Sequence, residues 1–110
     1  MKQAEIWNVN LNPVKGSEQT GFRPVVILSG NLANEFLRTV IVCPLTTKIK
    51  GYKGNPILEA NLKNGLKEKS EILVFHIRSI SKDRFVNKLG EVIPEVMEEM
   101  KKTLGDILKY

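Results

Sequence analysis

Two side chains suited to handling a phosphate stand at the ends of apolar runs: Arg23, just before "PVVIL", and Thr46, at the close of "TVIVCPLT". A guanidinium stays protonated at physiological pH and presents a planar fork, so it can grip a phosphoryl group whose negative charge grows during reaction. A threonine hydroxyl beside it would add one more donor. Glu18 and Gln19 lie in the Gly- and Pro-punctuated loop before Arg23, while Thr47, Lys48, Lys50, Tyr52 and Lys53 follow Thr46 in a basic turn. Lysines around a tyrosine can track a nucleic-acid backbone while the ring stacks on a base. His76 and Arg78 sit two residues apart in a later apolar run. Each residue also has a plainer reading: a strand-edge arginine in an ion pair, a β-branched strand threonine, a solvated lysine loop.

Other site chemistries are poorly supplied. With His76 and Cys43 as the only residues of their types, a zinc or iron–sulfur centre would lack ligands, and neither a metal nor a cofactor is expected. The stretch "GSEQTG" has neither the lysine nor the strand-to-helix setting of a phosphate loop. No G-x-S-x-G elbow is present, and a Ser-His-Asp triad would have His76 as its only possible base. Cys43, inside "TVIVCPL", reads as a buried, inert thiol, and a lone cysteine suits a reducing cytoplasm. No apolar stretch approaches the roughly 20 residues of a membrane span, and "MKQAEIWNVN" has no signal-peptide core, so a cytoplasmic protein is expected.

The chain has 110 residues, of which 42% are hydrophobic and 26% charged, which predicts one folded domain over 1–110. The net charge is +5, and the excess is concentrated in the middle of the chain. Residues 61–90 hold seven Lys and Arg against three Asp and Glu, whereas 91–110 hold three against five. A basic middle favours a polyanionic partner, nucleic acid or an acidic protein segment.

The elements that must position these groups follow from periodicity. Alternation of Trp7, Val9 and Leu11 against Asn8, Asn10 and Asn12 predicts a first strand over 4–12. A second strand is expected over 23–29, a short helical turn or loop over 31–36, and a central third strand over 38–46. Pro56 opens a strand candidate over 56–62. "EILVFHIRSI", 71–80, is the longest strand candidate, with Ile72, Val74, His76 and Arg78 on one face and Leu73, Phe75 and Ile77 on the other. Ser81 and Gly90 bracket a predicted short helix over 81–90, and "EVI" a short strand. Pro94 starts a terminal helix whose Val96, Met100, Leu104, Ile107 and Leu108 share a face. The sum is a β-dominant α+β protein: a small antiparallel barrel or curled sheet with a C-terminal helix.

In this order, "NPVKGSEQTGFRPVVIL", "TVIVCPLTTKIK" and "SEILVFHIRSISKDRF" resemble the MazF/PemK family of toxin endoribonucleases, and the likeness runs from about residue 4 to the final helix. The resemblance implies an SH3-like barrel, a homodimer, and metal-independent cleavage of single-stranded RNA through the ribose 2′-hydroxyl, leaving a cyclic phosphate and a 5′-hydroxyl. It implies Arg23 and Thr46 as the catalytic pair. It implies that Ser17, Glu18 and Gln19 form a loop closing over RNA, where an acidic antitoxin (MazE-like) competes. RNA contacts are expected at Thr47, Lys48, Lys50, Tyr52, Lys53, His76 and Arg78.

The sequence departs from the family pattern in three places. Ala4-Glu5 stands where the family has Gly-Asp, Asn10 and Asn12 replace two acids, and His76 replaces the glutamine of Gln-Ile-Arg. An imidazole ordinarily titrates near neutral pH, so His76 could serve as general base or simply contact RNA. Two other readings are a CcdB-like, non-enzymatic gyrase inhibitor on the same fold and an RNA-binding barrel that does not cleave.

Overall fold

In a computed structural model of the chain, residues 1–12 and 21–110 are described; the expected loop residues Ser17, Glu18 and Gln19 fall outside them. Strands β1 (Glu5–Asn10), β2 (Phe22–Ile27) and β3 (Thr39–Thr46) form the middle of an antiparallel sheet ordered β4-β5-β3-β2-β1-β7. The remaining strands are β4 (Ile57–Leu58), β5 (Ser70–Ile72), β6 (Arg78–Ser81) and β7 (Phe85–Glu91). Helix α1 spans Asn31–Phe36 and helix α2 spans Pro94–Lys109. The result is the expected β-dominant α+β architecture, a curled antiparallel half-barrel with a C-terminal helix. No helix among the described residues is long and apolar enough to cross a membrane.

Alternation in β2 and β3 builds a core on each side of the sheet. Val26, Cys43 and Leu45 join Ile6, Ile72, Val74, Met97 and Met100 beneath α2, whereas Val25, Ile27, Val40 and Val42 join Val9 and Ile80 opposite. Each fully buried aliphatic side chain contributes about 1.5–3 kcal/mol. Strands with two apolar faces must lie centrally, which is where β2 and β3 are.

The predicted strand over 71–80 is broken. β5 and β6 pair with the same edge of β3, Ile72 opposite Leu45 and Arg78 opposite Val42. Three steps along β3 therefore match six along the partner, and the 3₁₀ turn Val74–His76 takes up the excess. Pro44 explains the site of the break. Its carbonyl accepts from Leu73 N–H at 2.8 Å, so the N–H that proline lacks would have faced this edge and the ladder stops there. The expected face alternation is lost with it: Val74 is buried, while Phe75 and His76 are exposed.

The helix expected over 81–90 is also absent. Only Lys82–Arg84 makes a 3₁₀ turn before β7 pairs with the free edge of β1, and Ser81 Oγ donates to Asp83 Oδ1 instead of capping a helix. The "EVI" strand reduces to Glu91 at the end of β7. The 56–62 strand is only two residues long; reciprocal bonds between Asn61 and Asn64 turn the chain back soon after. On α2 the buried face is Met97 and Met100, backed by Val96 and Leu104, and Leu108, expected on that face, is 78% exposed.

The first two departures from the family pattern have visible consequences. Ala4 adopts φ 78°, the one non-glycine residue in the left-handed region among those described, so the Cβ that replaces the family's glycine is strained. Glu5 accepts from Lys2 N–H (3.0 Å) and Trp7 Nε1–H (2.8 Å) and lies 3.2 Å from Lys88 Nζ. Burial pushes its carboxyl up, but these bonds outweigh that effect and hold it below the usual range. Asn10 Oδ1 accepts Asn12 N–H at 3.0 Å, an Asx turn at the end of β1. Ala4→Gly is expected to stabilise the fold by about 0.5–1 kcal/mol in urea unfolding, because relief of the strained φ exceeds the entropy glycine adds to the unfolded chain.

Candidate active site

Arg23 and Thr46 meet through strand pairing. β2 and β3 align Val25 with Pro44 and Val26 with Cys43; carried two residues further, that register sets Arg23 against Thr46. Both line one open cleft of about 410 Å³, together with Phe22, Pro24, Thr47 and Lys48. Arg23 is exposed, and its guanidinium donates to Phe22 O at 2.8 Å. Thr46 Oγ1 accepts the backbone N–H of Lys48 at 3.1 Å, which fixes the oxygen and leaves the hydroxyl proton to be donated. A cation and a hydroxyl donor thus face a shared space open to solvent.

The other expected contacts divide. Thr47 and Lys48 line the cleft with the pair. Tyr52, Lys53 and His76 line a separate cavity of about 300 Å³, closed by Phe75 and by Thr103 and Ile107 of α2. There His76 packs edge-on against Phe75, ring centroids 6.1 Å apart. Lys50 and Arg78 are exposed, Arg78 on β6 opposite Val42. Cys43 is fully buried and burial pushes its thiol up to about 12, the inert state expected for it. Among the described residues, no group of three or more His, Cys, Asp or Glu side chains is placed to hold a metal ion.

Sequence reasoning missed Glu71. Its side chain is fully buried and accepts four bonds from the basic turn: from the backbone N–H of Lys50 (2.7 Å), Gly51 (3.1 Å) and Tyr52 (3.1 Å), and from Asn55 Nδ2 (3.0 Å). Its strand partner is Thr46, so one carboxylate shapes the turn that follows the threonine. Burial raises its proton affinity, yet the bonds from Asn55, Lys50, Gly51 and Tyr52 prevail and hold the carboxyl below its ordinary 4.5. The available signal was a single acid opening an apolar run after a turn rich in glycine and lysine, where loop N–H groups need an acceptor.

Glu71→Gln keeps the shape but turns an NH2 group toward N–H donors. A loss of about 2–4 kcal/mol is expected in urea unfolding at pH 7. Because the folded carboxyl lies below its unfolded value, its stabilisation is complete above about pH 4.5 and fades only as pH falls through the lowered folded value. The wild-type advantage over the variant should therefore shrink in acid below that point and hold steady above it.

Comparisons with known proteins identify the family. A sequence profile described as PemK-like, MazF-like toxin of type II toxin-antitoxin system matches residues 2–108. The chain is 36% identical over 101 residues to Endoribonuclease MazF of Staphylococcus saprophyticus, covering 91% of this chain and 84% of that protein. It is 33% identical over 105 residues to Endoribonuclease EndoA of Bacillus subtilis (strain 168), covering 94% and 90%. A chain in the crystal structure of MazE-MazF (Form-III) from Deinococcus radiodurans superposes with a TM-score of 0.81 at 28% identity, covering 98% of this chain and 95% of that one. On the profile match across nearly its whole length, the chain belongs to the PemK-like, MazF-like toxin family of type II toxin–antitoxin systems.

Proposed function

We propose that this toxin is an endoribonuclease that cuts single-stranded RNA at the cleft between β2 and β3, without a metal ion. The observation that carries the reading is the convergence of Arg23 and Thr46 on one open cleft, in a chain whose relatives are named endoribonucleases. The ribose 2′-hydroxyl passes its proton to water in the open cleft and attacks the adjacent phosphorus; the P–O5′ bond breaks and the departing 5′ oxygen takes up a proton from water. The products are a 2′,3′-cyclic phosphate and a 5′-hydroxyl. Arg23 neutralises the charge that builds on the non-bridging oxygens of the pentavalent phosphate; a guanidinium stays protonated in proteins and is no ground-state base. Thr46, its oxygen held by Lys48 N–H, donates a hydrogen bond from its hydroxyl to a phosphate oxygen. His76 lines the other cavity and is assigned an RNA contact rather than the role of base.

Thr47, Lys48, Lys50, Tyr52, Lys53 and Arg78 are the remaining RNA contacts in this reading, with Ser17, Glu18 and Gln19 as a closing loop. The active form is a homodimer of one-domain chains (1–110) in the cytoplasm, where the lone buried thiol suits a reducing medium. An acidic, partly disordered antitoxin blocks the groove by occupying the path of the RNA backbone. The excess of Lys and Arg over residues 61–90 and the MazE-MazF complex of a structural relative support that partner.

Purified protein incubated with mixed-sequence RNA in excess chelator should give fragments ending in 2′,3′-cyclic phosphate, and RNA lacking 2′-hydroxyls should resist. Arg23→Ala should lower the rate by about 10²–10³-fold, the cost of losing one preorganised donor to a developing oxyanion. Intact RNA with the wild-type protein, or cleavage that depends on added metal, would contradict the reading. Inhibition of gyrase supercoiling without RNA cleavage would favour the CcdB-like alternative.

A further inference from the structure

The cleft at Arg23 and Thr46 does not end at those residues. Pro24, Thr47 and Ser70 line it and also line a second cavity of about 470 Å³, so the two spaces share a wall and follow one another along the surface. The second cavity has apolar sides at Leu66 and Leu89 and two amide side chains, Asn8 and Asn87. These amides form part of a row across three strands: Asn8 pairs with Pro24 of β2 on one side and with Asn87 of β7 on the other. Neither amide is committed to a hydrogen bond with another described residue. Lys67 stands at the rim. The wall is built with no spare room: Gly65 holds φ +68°, and a Cβ there would come within 1.9 Å of Leu89 O.

Apolar walls with convergent amides suit a flat heteroaromatic ring with donors and acceptors on its edge, which is an unstacked nucleobase. An asparagine amide offers one donor and one acceptor side by side, the pairing a base edge requires. The phosphate end is already supplied by Arg23 in the adjoining cleft. We propose that this second cavity holds the base of the nucleotide next to the scissile phosphate, and that Asn8 and Asn87 read its edge and so set the cleavage preference at that one position. The inference rests on the reading that RNA is cut between Arg23 and Thr46. It adds a recognition site to which neither the sequence pattern nor the family resemblance pointed. Lys67 takes the phosphate flanking that base. Glu68, also on the rim, disfavours a phosphate there and keeps the backbone on the lysine side.

The test compares the wild-type protein with an Asn8→Ala/Asn87→Ala variant on a randomised RNA pool, with cleavage sites mapped by sequencing. Wild-type cleavage should show a base preference next to the cut that falls about tenfold in the variant, while preferences at other positions persist. An unchanged preference at every position, with cleavage retained, would overturn the proposal. A second measurement uses fluorescein-labelled 2′-O-methyl RNA of mixed sequence, which cannot be cut through the 2′-hydroxyl. The double variant should bind it about tenfold more weakly with an unchanged thermal midpoint, and equal binding would overturn the subsite. If the wild-type protein cuts no RNA, the catalytic reading fails, and the binding measurement still decides whether the cavity takes a base.

Discussion

The register between β2 and β3 is the constraint on which the rest depends. Val25 opposite Pro44 and Ile27 opposite Val42 bury alternate residues of both strands in two different cores. A slip of one residue would turn each strand's apolar set to the wrong core and move Arg23 to the other face of the sheet. The register is thus held by many buried side chains, and the position of one exposed arginine is inherited from it. That is how a small protein can keep a charged group in place without burying it: the backbone is locked, and the long side chain extends from it into the open cleft.

Loops around that pair are held by polar bonds instead of apolar packing. Glu71 gathers three backbone N–H groups and one amide of the turn after Thr46, and Thr103 of α2 donates to Gly54 O. The turn therefore answers to both the sheet and the C-terminal helix. An aliphatic residue in place of Glu71 would leave those N–H groups without an acceptor, which is costly inside a protein. On the opposite side, Pro44 withholds a donor from the edge shared by β5 and β6, and the resulting 3₁₀ turn exposes Phe75 and His76. The loss of one ladder bond thus creates the aromatic edge of the cavity lined by Tyr52, Lys53 and Thr103.

Much of this was readable in one dimension. Two-residue alternation located β1, apolar β-branched runs located β2 and β3, and Pro94 with its helical spacing located α2, because those segments obey their own local pattern. The errors fell where a neighbouring strand decided the outcome. Residues 71–80 read as one strand, yet their partner edge contains Pro44. Residues 81–90 carry helix-boundary residues, yet the open edge of β1 recruits Phe85–Glu91 as a strand. Arg23 and Thr46 could be named by motif resemblance, but their convergence depends on a register that spacing does not encode. Asn8 and Asn87 become neighbours only through the pairing of β1 with β7. Glu71 gave little warning, because a buried carboxylate is recognised by its donors, and those lie about 20 residues away along the chain.

If Arg23 and Thr46 act on one phosphate, their contributions to the rate must be coupled. The most direct measurement is a double-mutant cycle on single-turnover RNA cleavage with Arg23→Ala, Thr46→Val and the combined variant. Each single change is expected to cost about 10²–10³-fold, and the combined variant to lose far less than the product of the two, as for groups that work as a unit. Strictly multiplicative losses, or a Thr46→Val protein that cleaves at the wild-type rate, would contradict the account.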